Sequence, residues 1–223
     1  MKTVLIVFAL VALALALPLF WTPKTLPEGF DRNLPWQITL DASGNSEVFG
    51  LTPGKSRLSD ARALFGDDFD LAVIAAANQT GALEVDYAQR SFGPLLARLI
   101  LTLEASPEAI EAMRGRALRR EYKEGSNKKF TLDPDDRARA EDAVIRAISL
   151  IPSARLDEET ITRLFGVAAE TRPEGETLTH YLYPEKGLDI VIDKKGRDIL
   201  QYVAPGDFAA RIRAPLETPA SSK

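Results

Sequence analysis

Two stretches determine the fold that this 223-residue chain predicts: SRLSDARALFG at residues 56–66 and LDEETITRLFG at residues 156–166. Each has the pattern of a short capped helix. Ser56 and Asp157 are suited to the N-cap position, and the glycine after Leu-Phe in each stretch favours a left-handed helix stop. The two stretches lie 100 residues apart and each precedes three strand-like runs. They therefore predict an internal repeat.

The strand-like runs predict antiparallel meanders, because turn-forming residues separate neighbouring runs. The runs are 71–77, 82–88 and 98–104 in the first half, and 178–183, 188–193 and 198–203 in the second. One unit of this size buries little core, so two are expected to share a sheet or to pack together. The predicted fold class is α+β: an N-terminal transmembrane helix followed by two helix-plus-antiparallel-meander units, residues 36–122 and 123–208.

Other elements are predicted from caps and periodicity. Ser106-Pro107-Glu108 begins a helix that is expected to run to about Tyr122, and Asp133-Pro134 begins another with an apolar side that extends to Ile151. A short hairpin opens the first unit, with strands at 36–40 and 47–51, and a short strand is expected at 129–132. Residues 209–223 lack periodicity and are predicted to form a disordered tail.

The N-terminus carries an uncharged run from Val4 to Trp21. Its 18 residues would span about 27 Å as a helix, close to the roughly 30 Å hydrocarbon thickness of a bilayer. Residues 1–21 are therefore predicted to be a signal anchor, followed by a Pro-rich linker at 22–35. The predicted location is the inner membrane, single-pass, with the folded part in the periplasm. The run also fits a cleaved secretory signal ending in Ala14-Leu15-Ala16, which would give a secreted or periplasmic protein.

Composition and motifs argue against several function classes. The formal charge of −4 gives no indication of nucleic acid as a partner. The loop Gly50-Leu51-Thr52-Pro53-Gly54-Lys55-Ser56 has one residue too few for a phosphate-binding loop and contains a proline that cannot donate, so no nucleotide is expected. There is no cysteine, His180 is the only histidine, and no serine lies in a G-x-S-x-G motif. The sequence thus predicts no cofactor, no metal site and no enzyme activity, and it predicts His180 as a packed strand residue.

One charged cluster is a candidate contact site. The basic residues of the segment that follows Ser106 could touch a protein partner or anionic lipid headgroups, and they are Arg114, Arg116, Arg119, Arg120 and Lys123. A solvated helix face is the alternative interpretation of the same residues.

The stretch from Phe49 to Gly66, FGLTPGKSRLSDARALFG, resembles the opening of small bacterial envelope modules. These are typified by the BamE (SmpA/OmlA) outer-membrane assembly lipoprotein and the β-lactamase inhibitor protein. The whole chain also looks like proteobacterial membrane-anchored proteins of unknown function. The resemblance implies a helical hairpin on a small antiparallel sheet and a role in binding other proteins. The chain departs from the lipoprotein pattern because it has no cysteine.

These observations predict a membrane-anchored extracytoplasmic protein that acts as a protein-binding module in the bacterial cell envelope. The alternative is an envelope hydrolase or transferase whose site is assembled from residues that are distant in the sequence.

Overall fold

A computed structural model describes residues 33–122 and 127–217, which belong to one compact unit, Arg32–Lys223. The predicted anchor at 1–21 and the predicted linker up to residue 32 lie outside the described residues, as does Lys123. Among the described residues, no helix has both the length and the apolar character needed to cross a membrane.

The fold is mixed α+β and is built on a large antiparallel sheet. Ten strands form this sheet in the order β6-β7-β3-β4-β5-β8-β12-β11-β10-β9, and a separate two-stranded hairpin consists of β1 and β2. The strands are β1 Thr39–Leu40, β2 Ser46–Glu47, β3 Asp70–Ala75, β4 Ala82–Phe92, β5 Leu95–Leu103, β6 Arg119–Tyr122, β7 Lys128–Thr131, β8 Ile145–Pro152, β9 Glu170–Glu174, β10 Leu178–Tyr183, β11 Leu188–Asp193 and β12 Ile199–Val203.

Five α-helices accompany the strands in the described part of the chain. They are α1 Leu58–Phe65, α2 Pro107–Arg116, α3 Pro134–Ala140, α4 Glu158–Phe165 and α5 Ala214–Glu217. Helices α1 to α4 place buried side chains in one core with the sheet face that carries Leu71, Val73 and Tyr183. The helical layer thus covers one face of the sheet, which we call the helix face.

The two predicted helix-and-meander segments have the same local geometry. Gly66 and Gly166 both end their helices at positive φ, +79° and +84°. Each glycine carbonyl accepts a hydrogen bond from a tyrosine hydroxyl of the following meander, Tyr87 at 3.3 Å and Tyr183 at 2.9 Å. The Leu-Phe-Gly motif therefore joins each helix to its meander in the same way. Arg57, rather than the predicted Ser56, is the N-cap residue of α1.

The predicted division at residues 122 and 123 does not match the sheet. Strand β7 lies in the predicted second unit, but it pairs with β6 and β3 of the predicted first unit. Strand β8 then joins the two halves, because it pairs with β5 on one side and β12 on the other. One continuous sheet results, since each short meander buries more apolar surface by extending a neighbour than by closing on itself.

Two predicted helices are shorter in the structure. The helix expected to reach Tyr122 ends at Arg116, and Arg119–Tyr122 forms the edge strand β6. The helix expected to reach Ile151 ends at Ala140, and Ile145–Pro152 forms the central strand β8. A register shift places Thr102 opposite Ala147 but Leu103 opposite Ile145. This β-bulge lets Ile145 and Ile148 both be buried, and so reproduces in a strand the apolar spacing of a helix.

The predicted disordered tail is wrong for residues 209–217. Ala209–Arg213 forms a π-helical turn that continues into α5, and residues 218–223 lie outside the described residues. Phe208 and Ile212 are buried against Leu182 and Val203, on the sheet face opposite the helices. This contact orders the segment because it removes apolar side chains from water on both sides.

Candidate functional site

The sheet has a second face whose two halves differ. Over β10 to β12 the C-terminal segment covers it, as described above. Over β3 to β5 it forms an open groove of about 720 Å³, which we call the sheet groove. Its lining residues are Asp70, Ala72, Ile74, Glu84, Asp86, Arg98, Ile100, Tyr122 and Asn127.

Charged pairs form the walls of the sheet groove. Arg98 donates two hydrogen bonds to the carboxylate of Asp86, at 2.7 and 2.5 Å. This bidentate contact raises the pKa of Arg98 and fixes both side chains. Lys129 of β7 forms an ion pair with Asp70 at the start of β3. The groove is thus a preorganised polar surface with an apolar floor of small and aliphatic side chains.

The register explains why only one half is covered. Asp86 of β4 lies opposite Ile100 of β5, whereas Leu182 of β10 lies opposite Asp189 of β11. Leu182 is thus the apolar residue of the second half that corresponds to Asp86 of the first. Ile212 of the C-terminal segment packs on Leu182. A helix with an apolar side can pack on Leu182 and Val203 in the second half, whereas at Asp86 and Arg98 in the first half it would bury an ion pair.

His180 lies between two carboxylates in the covered half. Its Nδ1 is 2.8 Å from Oδ2 of Asp189, and its Nε2 is 3.0 Å from Oε2 of Glu174. His180 is 5% exposed and Asp189 is 1% exposed. The packed position matches the sequence prediction, but the two carboxylates were not expected. The signal in the sequence was Asp189, an acid between the apolar residues Leu188 and Ile190 of β11.

The surroundings of His180 favour its charged form. Burial by itself lowers the pKa of His180, but hydrogen bonds and negative charge from Asp189 and Glu174 outweigh burial, and the pKa is raised. Burial also raises the pKa of Asp189, although His180 acts in the opposite direction. Since both ring nitrogens already contact carboxylates, neither offers a lone pair to a substrate or a metal ion. The arrangement is suited to linking strands β9, β10 and β11.

The predicted basic cluster is only partly brought together. The guanidinium groups of Arg114 and Arg120 lie over the ring of Phe130, at 4.9 and 5.0 Å from its centroid. Arg114 also donates to the carbonyl oxygens of Gln79 and Thr80, which ties α2 to the β3–β4 turn.

The other two arginines of the cluster have carboxylate partners. Arg116 forms two hydrogen bonds with Asp136, a buried acid that also binds Arg139. Arg119 pairs with Glu121. Much of the positive charge of the described cluster is therefore engaged in the fold itself.

An apolar pocket of about 220 Å³ opens beside α4. It is lined mainly by aromatic, aliphatic and proline side chains, among them Trp36, Leu95, Pro152, Leu156, Leu164 and Phe165. Thr160 and Arg155 are the polar residues at its wall. Sequence reasoning did not find this pocket, because its lining comes from five segments of the chain, 35–36, 94–95, 152–156, 160–165 and Leu200.

The described residues contain no group of three or more histidine, cysteine, aspartate or glutamate side chains arranged to hold a metal ion. Comparison of the chain with protein families, with curated proteins and with solved structures found no match. The resemblance to the envelope modules therefore stays a prediction from the motif.

Proposed function

We propose that this chain is a membrane-anchored binding protein of the bacterial cell envelope, and that it holds a protein partner in the sheet groove. Two related helix-and-meander units share one sheet, and the run from Val4 to Trp21 is a single-pass anchor in the inner membrane that leaves the folded part in the periplasm. In this proposal the chain is not an enzyme and uses no cofactor.

The proposal rests on the open half of the second sheet face. The sheet groove combines an apolar floor, formed by Ala72, Ile74 and Ile100, with walls of fixed charge. Protein-binding surfaces commonly combine a central apolar area with a polar rim. The paired charges on the wall, Arg98 with Asp86, would favour a partner that presents complementary polar groups, and would disfavour nonspecific apolar contacts.

The histidine geometry supports binding rather than catalysis. The most conspicuous acid–base group among the described residues is His180, and it is buried with both nitrogens engaged. A general base must reach the proton that it removes. His180 lies under the covered half of the sheet and is not part of the groove lining.

Site-specific photocrosslinking in cells of the native host tests this proposal. A benzophenone amino acid at Ile74 or Ile100, on the groove floor, is expected to crosslink the same partner. The matched control is the same amino acid at Val167, which is 84% exposed and lies outside the groove.

The charge-reversal variant Arg98→Glu is expected to abolish the groove crosslinks while the protein level stays unchanged. Equal crosslinking from Val167 and Ile74, or no partner from either groove position, would contradict the proposed role of the groove.

A further inference from the structure

The apolar pocket has rigid walls. The ring of Trp36 meets that of Phe165 edge-on, with the centroids 6.5 Å apart. The backbone N–H of Leu156 donates to the carboxylate of Asp198 at 2.8 Å, which fixes the segment before α4. Because packing and hydrogen bonds hold these walls, the cavity is expected to persist in solution rather than collapse.

The size and lining of the pocket suit a small apolar group. A volume of about 220 Å³ holds about seven groups of the size of a water molecule, each of which occupies roughly 30 Å³ in the liquid. A methylene group is similar in size. The wall offers little polar surface, so a ligand would be held by apolar burial.

A turn that carries basic residues lies next to the pocket wall at Arg155. Arg155 donates hydrogen bonds to the carbonyl oxygens of Asp193 and Gly196. The same turn, residues 193–198, carries exposed Lys194, Lys195 and Arg197. Of the two acids of the turn, Asp198 is buried, whereas Asp193 is partly exposed and accepts from the backbone N–H of Lys195 at 2.9 Å. Acidic residues Asp157, Glu158 and Glu159 are exposed at the start of α4.

Two residues that line the pocket are close in sequence to the proposed membrane anchor. Trp36 and Pro35 line it, and only residues 22–35 separate Trp36 from the end of the apolar run at Trp21. Fourteen residues span at most about 50 Å. An anchored protein would therefore keep the pocket within reach of the bilayer surface, where basic side chains are attracted to lipid phosphate groups.

We propose that the apolar pocket binds the end of one acyl chain of a membrane phospholipid, with the turn 193–198 at the headgroup level. That the ligand is a membrane lipid rests on the membrane attachment in the proposed function. That the pocket suits an apolar ligand rests only on its lining residues. Because the acyl chain would pass from one apolar environment into another, its burial adds little net free energy. The contact would therefore orient the folded part without replacing the anchor.

Photolabelling of the full chain in phospholipid vesicles tests the proposal. The probe is a phosphatidylglycerol with a diazirine near the end of one acyl chain, and labelled peptides are mapped by mass spectrometry. We expect labels in residues 1–21 and also in the pocket segments at 94–95, 152–156 and 160–165. Thr160→Phe fills the pocket and is expected to reduce pocket labelling about tenfold. The matched control is Thr162→Phe, an exposed position on the same helix.

The outcomes separate the two proposals. Labels in 1–21 with none in the pocket, or equal pocket labelling in the Thr160→Phe and Thr162→Phe variants, would overturn the acyl-chain site and leave the anchor intact. Labels in the pocket without labels in 1–21 would support the site and contradict the anchor. No label at either place would contradict both. Circular dichroism of each variant establishes that a loss of label does not come from misfolding.

Discussion

Tyr183 donates its hydroxyl hydrogen bond to the carbonyl oxygen of Gly166 at 2.9 Å, and so fastens the end of α4 to strand β10. The ring of Tyr183 also packs near that of Phe165, with the centroids 6.4 Å apart. The pair satisfies a carbonyl at the end of a helix, where intrahelical partners run out. Tyr87 and Gly66 form the corresponding pair at the longer distance of 3.3 Å.

Tyr183→Phe is expected to lower the free energy of unfolding by about 1 kcal/mol, because a buried hydroxyl that donates one hydrogen bond is removed. Tyr87→Phe should cost less, since its bond is longer. Urea denaturation measures both. Tyr122→Phe is the control, because Tyr122 is 76% exposed, and it should have no measurable effect. A larger loss from Tyr87→Phe than from Tyr183→Phe would contradict this order.

We expect the free energy of unfolding to depend on pH through the single histidine, His180. The pKa of His180 is raised in the folded protein, so its stabilising effect is fully present below the ordinary histidine pKa of about 6.5. That effect is lost as the pH rises through the folded-state pKa. The raised pKa of Asp189 acts in the same direction. Each unit by which the pKa is raised corresponds to about 1.4 kcal/mol.

NMR titration of the imidazole measures this value without an assignment problem, because the chain contains one histidine. Glu174→Gln should lower the pKa of His180, since it removes one of the two facing charges. His180→Gln should flatten the stability profile above about pH 6.5, where the wild-type protein loses the contribution of the protonated imidazole. A titration midpoint at or below 6.5 in the wild-type protein would show that burial outweighs the two carboxylates.

The C-terminal segment is expected to contribute to stability. Ile212 is 6% exposed and packs on Leu182 and Val203. Ile212→Ala should cost about 2 kcal/mol, the lower end of the range for a buried isoleucine, because a short terminal segment can shift to fill the space. Ala210→Ser, at an exposed position of the same turn, is the control. Equal stability of the two variants would mean that the segment does not cover the sheet in solution.

Gly187, directly before β11, tests the close approach of this part of the chain to β12. A Cβ atom at Gly187 would overlap the carbonyl oxygen of Val203, and φ is +64°. Gly187→Ala is therefore expected to cost several kcal/mol. At Gly175, with φ of +59°, a Cβ atom meets no atom within 4 Å. Gly175→Ala should cost only about 1–2 kcal/mol, from the backbone conformation alone. Thermal unfolding of the two variants separates the steric contribution from the conformational one, and similar losses would contradict the overlap.

The N-caps and strand alternation predicted much of the local structure. Asp157 caps α4 as expected, and its side chain accepts from the backbone N–H of Thr160 at 2.7 Å. Each of the six predicted meander strands overlaps a strand of the structure. These features depend on residues that are close in the sequence, so they could be predicted from the sequence alone. Lys123, one of the predicted contact residues, lies outside the described residues.

Strand β8 shows where local reasoning fails. Its apolar residues have helical spacing, yet pairing with β5 and β12 decides in favour of a strand, and a β-bulge absorbs the mismatch. The sheet groove and the apolar pocket could not be predicted for a similar reason. Each is lined by residues that only sheet order and register bring together.

The sequence by itself determined where the capped helices begin, to within one residue, together with the meanders, the α+β class and the absence of cysteine, because these follow from short-range chemistry and composition. Only the tertiary structure decided that the two halves share one sheet, that His180 lies between Asp189 and Glu174, and that one half of the second sheet face is covered while the other is open. The physical reason is that strand pairing and burial depend on residues far apart in the chain, whose alignment is set by the packing of the whole unit.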